Sequence, residues 1–229
     1  MLTISASELW KKTYPGATFG LLEISGIENS LPSTGLQKHK CSVEARLRQR
    51  YQGFSRQQFL ALPVMSVYER YYKRFDKTYH VLLQLESIVL KGKNLPDVSP
   101  LVDANFSAEV ETLILTAGHD ADRLSGEILL DIASSSDLIT RMNGVPKVID
   151  AGDMLMRDAE GVCCTLIYGQ DNRSPITPQT SHVLYVSYAP AGVSAELVED
   201  HLHRIVNNVR LFSPTAQVEQ LRLLKANPT

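Results

Sequence analysis

The chain has 229 residues, of which 44% are hydrophobic and 21% are charged, and its 23 basic and 25 acidic side chains leave a net charge of −2. These values are typical of a globular protein and exclude a disordered chain, a collagen-like repeat and a coiled-coil rod. No run of 18 apolar residues occurs, so no transmembrane helix is expected. The N-terminus does not resemble a secretory signal, and the three cysteines cannot all pair within one chain, which favours a reducing, cytoplasmic setting.

The first part of the chain is predicted to be mainly helical. A capping-box spacing at Ser5 predicts a short helix through Lys12, and Thr18–Ile24 is a short apolar strand candidate. Residues 27–41 are polar and are interpreted as a loop. Further helices are predicted over Ser42–Tyr51, Ser55–Leu62, Val64–Phe75 and Thr78–Val89, the last with the most regular 3.6-residue apolar stripe in the chain.

After Pro96 the pattern changes to short strands. Ser99–Glu111 predicts one more helix, and five apolar runs follow it, separated by polar or glycine-containing turns. The runs are Thr112–Thr116, Glu127–Ala133, Met154–Met156, Val162–Tyr168 and Val183–Tyr188. Helices over Ala195–Leu211 and Pro214–Lys225 are predicted to follow. This order favours an α+β fold in which helices pack on a mostly antiparallel β core, closed or partly closed into a barrel.

The organisation expected from these elements is a single domain over residues 1–229. It consists of a basic helical part at residues 38–93, a β core at residues 94–190 and C-terminal helices at residues 194–225.

The charge is distributed unevenly along the chain. Residues 37–93 carry 12 basic and 4 acidic side chains, whereas residues 94–229 carry 9 basic and 18 acidic ones. The basic part either binds a polyanion or only packs against an acidic body. The candidate RNA-binding residues are Arg46 and Arg50, which are i,i+4 neighbours on one predicted helix, and Lys91 and Lys93, which lie in a basic turn.

Generic motifs for phosphate-binding loops, hydrolase nucleophiles and zinc peptidases do not occur in the sequence, so neither a metal nor another cofactor is expected. Cys163 and Cys164 lie in a β-like run and are predicted to be structural. His119 stands between a strand and a turn, where it either acts as a general base or closes the turn by bonding to Asp120 or Asp122.

A polar loop separates the last two predicted strands. Residues 169–177 contain Gln170, Asn172 and Arg173, whose side chains are suited to bases, phosphates or carboxylates. Loops on a rigid β scaffold often carry function, although an ordinary connection is the alternative here. We expect His119 to line a pocket together with this loop.

Six segments carry a resemblance to a known family. They are PGATFGLLEISGIEN at Pro15–Asn29, ESIVLKGKNLP at Glu86–Pro96, LVDAN at Leu101–Asn105, DADRL at Asp120–Leu124, the strand Glu127–Ala133, and RSPITPQT at Arg173–Thr180. In order and spacing they resemble the B3/B4 module of the phenylalanyl-tRNA synthetase beta subunit in its free-standing form. The resemblance implies an α+β fold around a barrel-like β core. In the synthetase this module contains the editing site, which hydrolyses tyrosine wrongly attached to phenylalanine tRNA, and free-standing copies are described as RNA-binding or trans-editing candidates.

The sequence departs from the family pattern at three places. The family's histidine before the D-x-D element falls on Ala117, while His119 follows two residues later. The family's glutamate in the last strand falls on Val186, and the asparagine of the VD..N element comes one residue early, at Asn105.

Two functions of different classes remain open at this point. One is a stand-alone deacylase of mischarged aminoacyl-tRNA, acting in translation quality control, with His119 as the catalytic residue and Asn105, Gln170, Asn172 and Arg173 around the substrate. The other is a non-catalytic module that binds tRNA, another RNA or an amino-acid-like ligand and has lost the editing residues.

Overall fold

The structure is a computed structural model that describes residues 1–29 and 33–226. Its helices are α1 (Glu8–Thr13), α2 (Thr34–Arg50), α3 (Arg56–Leu60), α4 (Pro63–Lys73), α5 (His80–Val89), α6 (Pro100–Thr112) and α7 (Ala195–Arg210). Its strands are β1 (Ile4–Ala6), β2 (Thr18–Ser25), β3 (Thr116–Asp120), β4 (Ile128–Ile132), β5 (Leu138–Thr140), β6 (Pro146–Val148), β7 (Met154–Asp158), β8 (Gly161–Thr165), β9 (Gly169–Gln170), β10 (Val183–Ala189) and β11 (Gln217–Lys225). None of the helices in these two ranges has the length and apolar character needed to cross a membrane.

The strands form two sheets and a separate hairpin. One sheet has the order β1-β4-β7-β8-β9 and the other has the order β11-β2-β10-β3, while β5 pairs with β6. All strand pairs are antiparallel except the short β1–β4 pair. The predicted α+β fold with a mostly antiparallel β core is therefore confirmed, and its core consists of two sheets with open edges.

The two central strands of the second sheet are buried along nearly their whole length. The seven residues of β10 are all buried, as are the first seven of β2. Helix α7 covers one face of this sheet, and its Val198 Cγ1 would lie only 2.6 Å from a Cβ at Gly20. Strands covered on both faces have near-continuous apolar sequences, which is why Thr18–Ile24 and Val183–Tyr188 were identifiable as strands.

Two buried tyrosines of α4 donate hydrogen bonds to backbone carbonyls in β10 and just after β8. The Tyr68 hydroxyl donates to the Tyr188 carbonyl at 2.7 Å, and the Tyr72 hydroxyl donates to the Leu166 carbonyl at 2.7 Å. Tyr68 also stacks on Tyr79, which precedes α5, with ring centroids 4.4 Å apart. Through Tyr79 these contacts hold the start of α5, whose polar side chains line the pocket described below.

The C-terminal helix predicted over Pro214–Lys225 is wrong, because residues 217–225 form strand β11 instead. The prediction relied on Pro214, because proline is favoured at the first position of a helix. This segment pairs with the edge of β2 as an antiparallel strand, and its Leu221 and Leu223 pack against a hydrophobic cluster that includes buried residues of α7. Tertiary pairing has overridden the local pattern, and the expected C-terminal helical part at 194–225 is one helix followed by a strand.

Three further boundaries differ from the sequence-based expectation. Residues 27–41 are not all loop, because α2 begins at Thr34, where the Ser33 hydroxyl accepts from the Leu36 N–H; the part at 30–32 lies outside the described residues. The run Thr112–Thr116 is not a strand as a whole, because Thr112 is the last residue of α6 and Thr116 is the first residue of β3. The first helix starts at Glu8 with Ser7 as its cap, because Ser5 pairs in β1.

Candidate functional site

A pocket of about 400 Å³ lies beside strand β3, which is an edge of its sheet. Helices α5 and α6, strands β8 and β9, and residues 175–176 form its other walls. The volume is in the range of small-molecule sites, and most of the wall is apolar. Apart from Tyr185, Tyr188 and Cys164, the residues of the wall with polar side-chain groups are His80, Gln84, Asn105, Glu109, Thr116, Thr165 and Gln170.

The backbone of β3 presents alternate residues to this pocket. The Leu115 carbonyl accepts from the Tyr188 N–H, and the Ala121 N–H donates to the His182 carbonyl, so the odd-numbered residues point toward β10. In an antiparallel pair the hydrogen-bonded and non-hydrogen-bonded residues alternate. The even-numbered residues of β3 therefore direct their backbone groups away from β10, toward the open edge.

Helix α6 occupies one end of this open edge. The Thr116 N–H donates to Glu109 Oε1 at 2.8 Å, and the Thr116 carbonyl accepts from Asn105 Nδ2 at 2.9 Å. At the other end the Asp120 N–H donates to a loop carbonyl at 3.0 Å. Gly118, between them, lines the pocket with its backbone alone. Its N–H and carbonyl are thus directed into the space where a ligand would lie.

Glu109 is a buried carboxylic acid in the wall of the pocket. Only 1% of the residue is exposed, and this burial raises its pKa to about 8 even though the Thr116 N–H and the Asn105 amide both favour the ionised form. Glu109 is therefore mainly protonated at neutral pH. Asn105 precedes it by one turn of α6 and has an Oδ1 atom without a hydrogen-bond partner.

His80 and Gln84 are one turn apart on α5 and line the mouth of the pocket. The His80 Nδ1 atom lies 3.3 Å from the Tyr72 hydroxyl. Since the single hydrogen of that hydroxyl is donated to the Leu166 carbonyl, Nδ1 carries the proton of the neutral imidazole. The surrounding protein atoms desolvate this ring and lower the pKa of His80 to about 4, so the imidazole is neutral at pH 7 and its Nε2 atom carries no proton.

A second groove continues from the pocket. It has a volume of about 410 Å³, shares His80 and Gln84 with the pocket, and is also bordered by Lys93 and Asn94. The Arg48 guanidinium holds this turn in place through the Lys93 carbonyl at 2.9 Å and Asn94 Oδ1 at 3.1 Å. Lys91 and Lys93 are exposed on the turn, so their charges face solvent.

The structure separates the four basic residues that the sequence grouped together. Arg46 and Arg50 line a different groove, of about 570 Å³, and Arg46 pairs with Glu111 at 2.6 Å. Arg48 contacts the basic turn of Lys91 and Lys93, and its position two residues after Arg46 places it about 200° around the helix. The two arginines and the two lysines thus lie on opposite sides of α2.

His119 does not line the pocket with the following loop, which differs from the expectation. It is completely buried, its Nδ1 atom lies 2.8 Å from Ser174 Oγ, and it makes no bond to Asp120 or Asp122. Burial lowers its pKa to about 3, so the ring is neutral. The residues of β3 that do face the pocket include Ala117 and Gly118, which precede it.

The loop residues have different surroundings. Gln170 lines the pocket, as does Asn105, so the structure brings these two predicted residues together. Arg173 is held by three carboxylates, Asp158 at 3.2 Å, Glu160 at 3.1 Å and Asp171 at 2.8 Å, and does not border the pocket.

Asn172 lies outside the pocket as well. Its side chain is exposed, and its backbone N–H donates to the Thr140 carbonyl at 3.0 Å. Asn172 therefore connects the loop to β5 through its backbone and does not contact the pocket.

The two adjacent cysteines are buried. Burial raises the pKa of both thiols, to about 12 for Cys164, so neither is a ready nucleophile. Within residues 1–29 and 33–226, no three His, Cys, Asp or Glu side chains come together as a metal site.

Among solved structures, an N-terminal fragment of the phenylalanyl-tRNA synthetase beta subunit from Pyrococcus horikoshii is similar at 10% identity with a TM-score of 0.49. The match covers 97% of this chain and 50% of that fragment, so the chain spans half the length of this neighbour. No curated protein sequence matches the chain. The family model of the B3/4 domain matches residues 65–225, more than two thirds of the chain, and the chain belongs to the B3/4 domain family.

Proposed function

We propose that the protein binds tRNA, takes an aminoacylated 3′ end into the pocket beside β3, and hydrolyses the ester there. One observation carries this proposal: the groove that borders Lys93 and the pocket that contains Glu109 share the side chains of His80 and Gln84. Membership of the B3/4 domain family supports an association with tRNA.

The proposed path of the RNA begins at the basic turn. Lys91 and Lys93 meet the phosphates near the 3′ end, and the groove along α5 accommodates the last nucleotide. The aminoacyl group then passes His80 and enters the pocket. Its apolar wall, which includes Val102, Phe106 and Ile176, buries the amino-acid side chain.

The hydrolytic step needs a proton acceptor and a site for the oxyanion. A water molecule attacks the ester carbonyl carbon, and its proton passes to His80 Nε2. The Gly118 N–H stabilises the oxygen that becomes negative. As the bond to the ribose breaks, the proton returns from His80 to the ribose hydroxyl, so the products are a free amino acid and deacylated tRNA.

The double substitution Lys91→Glu and Lys93→Glu should weaken tRNA binding at least tenfold. Each phosphate contact releases counterions, so losing two contacts should also reduce the slope of log K against log salt by about 1.4. Fluorescence anisotropy over a salt series measures both quantities. The double variant Lys11→Glu and Lys12→Glu on α1 has the same charge change outside the groove and should bind with no more than a two- to threefold loss; equal losses in the two variants would refute the groove as the binding path.

The proposed reaction is tested with a panel of misacylated tRNAs. The purified protein should release the amino acid from at least one of them faster than buffer does. Release from none of them, while the tRNAs still bind, would refute hydrolysis.

A second candidate function is binding without hydrolysis. It is favoured by one observation, the complete burial of His119, which removes the histidine nearest to the family's position from the pocket. In this case the protein binds the aminoacyl end and protects the ester, so release should be slower with the protein than in buffer.

A further inference from the structure

The amide side chains of the pocket are oriented by the backbone. Asn105 Nδ2 donates to the Thr116 carbonyl at 2.9 Å, and Gln170 Nε2 donates to the Ser174 carbonyl at 2.7 Å. One hydrogen of each nitrogen is therefore held by the backbone, which orients the amide and leaves its oxygen available to a ligand. Asn105 is 5% exposed and its Oδ1 atom has no hydrogen-bond partner within the protein, so this buried acceptor is available to a ligand.

Thr165 adds no donor to this set. Its hydroxyl accepts from the Tyr168 N–H at 2.8 Å and is also hydrogen-bonded to Asp153. The Gly118 carbonyl adds one more acceptor at the open edge of β3. The pocket therefore offers three available acceptors, the Asn105 and Gln170 amide oxygens and the Gly118 carbonyl, which suit a group that donates several hydrogen bonds.

The groups around Glu109 also provide no positive charge that would balance its ionised carboxylate. The titratable groups packed near it are Tyr68, Tyr72, Tyr79, Tyr185, Tyr188, Cys164 and His201, with His80 at the mouth. Burial keeps the phenols, the thiol and the His201 ring neutral at pH 7, because it disfavours their charged forms. No buried cation in this set compensates an ionised Glu109.

We infer that the pocket selects ligands with a free primary ammonium group, bound by the oxygens of Asn105 and Gln170 and by the carboxylate of Glu109. The inference rests on the proposed function and narrows its substrate class to aminoacyl esters with an unblocked α-amino group. N-acylated and peptidyl esters are excluded, because an amide nitrogen has one hydrogen and no charge. Among the donors of the wall, the Gly118 N–H and the Tyr188 hydroxyl suit the carbonyl oxygen of such an ester.

Binding of the ammonium group has a defined proton balance. In the free protein Glu109 is the neutral acid, and in the complex it is a carboxylate beside a cation. The acid proton is therefore released to solvent when a protonated amine binds at pH 7. Calorimetry in two buffers that differ in ionisation enthalpy should detect nearly one proton released for each ligand bound.

The experiment compares the amides of the common L-amino acids with their N-acetyl amides, without RNA. Ligand-observed NMR identifies which amides bind, and calorimetry gives their affinities. At least one free amide should bind, and acetylation of its amino group should weaken binding tenfold or more. The Glu109→Gln variant should bind the same amide at least tenfold more weakly and release no proton, whereas Glu111→Gln, on the same helix but outside the pocket, should behave as the wild type.

Two results would overturn the inference. Equal affinity for the free and acetylated amides would show that the ammonium group is not recognised, and binding of no amide at millimolar concentration would show that the pocket does not take this class. Neither result depends on tRNA, whose binding is measured with the lysine variants. If the protein binds an amide but not tRNA, the proposed function is refuted and the inferred amine site stands. If it binds tRNA but no amide, only the amine site is refuted.

Discussion

The stability of the Glu109→Gln variant relative to that of the wild type should increase progressively as the pH rises from 4.5 to 8. Burial raises the pKa of Glu109 from 4.5 to about 8, so the folded wild type retains a proton that the unfolded chain loses. The stabilisation of the folded wild type by this proton is complete below pH 4.5 and is lost as the pH rises through 8. A glutamine at this position does not titrate, so it adds no pH dependence to the free energy of unfolding. The ratio of the two unfolding equilibrium constants should change tenfold per pH unit, or about three orders of magnitude over this range.

Urea unfolding of both proteins at several pH values measures this ratio. Comparison of the two proteins at each pH cancels the titration of the groups that they share. The Glu111→Gln variant is the control, because Glu111 is paired with Arg46 near the surface. A ratio for Glu109→Gln that does not change with pH would mean that Glu109 is ionised in the folded protein.

The His80→Gln variant should release amino acids from misacylated tRNA about a hundredfold more slowly than the wild type. Glutamine keeps the polarity and approximate length of the side chain, but it cannot accept the proton of the attacking water. Because His80 is not placed at the phosphates, tRNA affinity should change by less than threefold. Single-turnover release and anisotropy measure the two effects separately.

His203 on α7 provides the matched control for this experiment. It is exposed and lines none of the grooves described above. His203→Gln should therefore release amino acids at the wild-type rate. A His80→Gln variant with the wild-type rate would assign the proton transfer to another group.

The fold could be predicted where local pattern and tertiary burial agree. Val183–Tyr188 is an apolar run because β10 lies in the middle of its sheet, and Ala195–Leu211 has a helical apolar stripe because α7 covers that sheet. The strand β11 was missed because pairing with the edge of β2, a contact between distant segments, decides its conformation. The N-terminal part of α2 was missed because its exposed face is polar.

The pocket could be predicted only in part. Asn105 and Gln170 were selected from a family motif and a polar loop, and both line it. Glu109 was missed because a single glutamate in a helix usually lies on the solvent side. Its spacing of four residues from Asn105, among apolar neighbours of α6, is the signal that could have identified it.

The choice between His80 and His119 depends on side-chain direction, which motif spacing does not describe. His119 is close in sequence to the family's histidine position, but it is covered by the loop that contains Ser174. His80 is remote in sequence and reaches the pocket because α5 packs beside it. Only the tertiary arrangement distinguishes the two.

The central claim is that the 3′ end of tRNA enters the pocket beside β3, and site-specific photocrosslinking tests it most directly. Met142 lies at the pocket and is 56% exposed, and Leu9 on α1 is equally exposed outside it. With benzoylphenylalanine at position 142, illumination should crosslink the protein to the 3′-terminal nucleotides of bound tRNA, and at position 9 it should give no such product. Crosslinks from position 142 to other parts of the tRNA, with none at the 3′ end, would contradict the account.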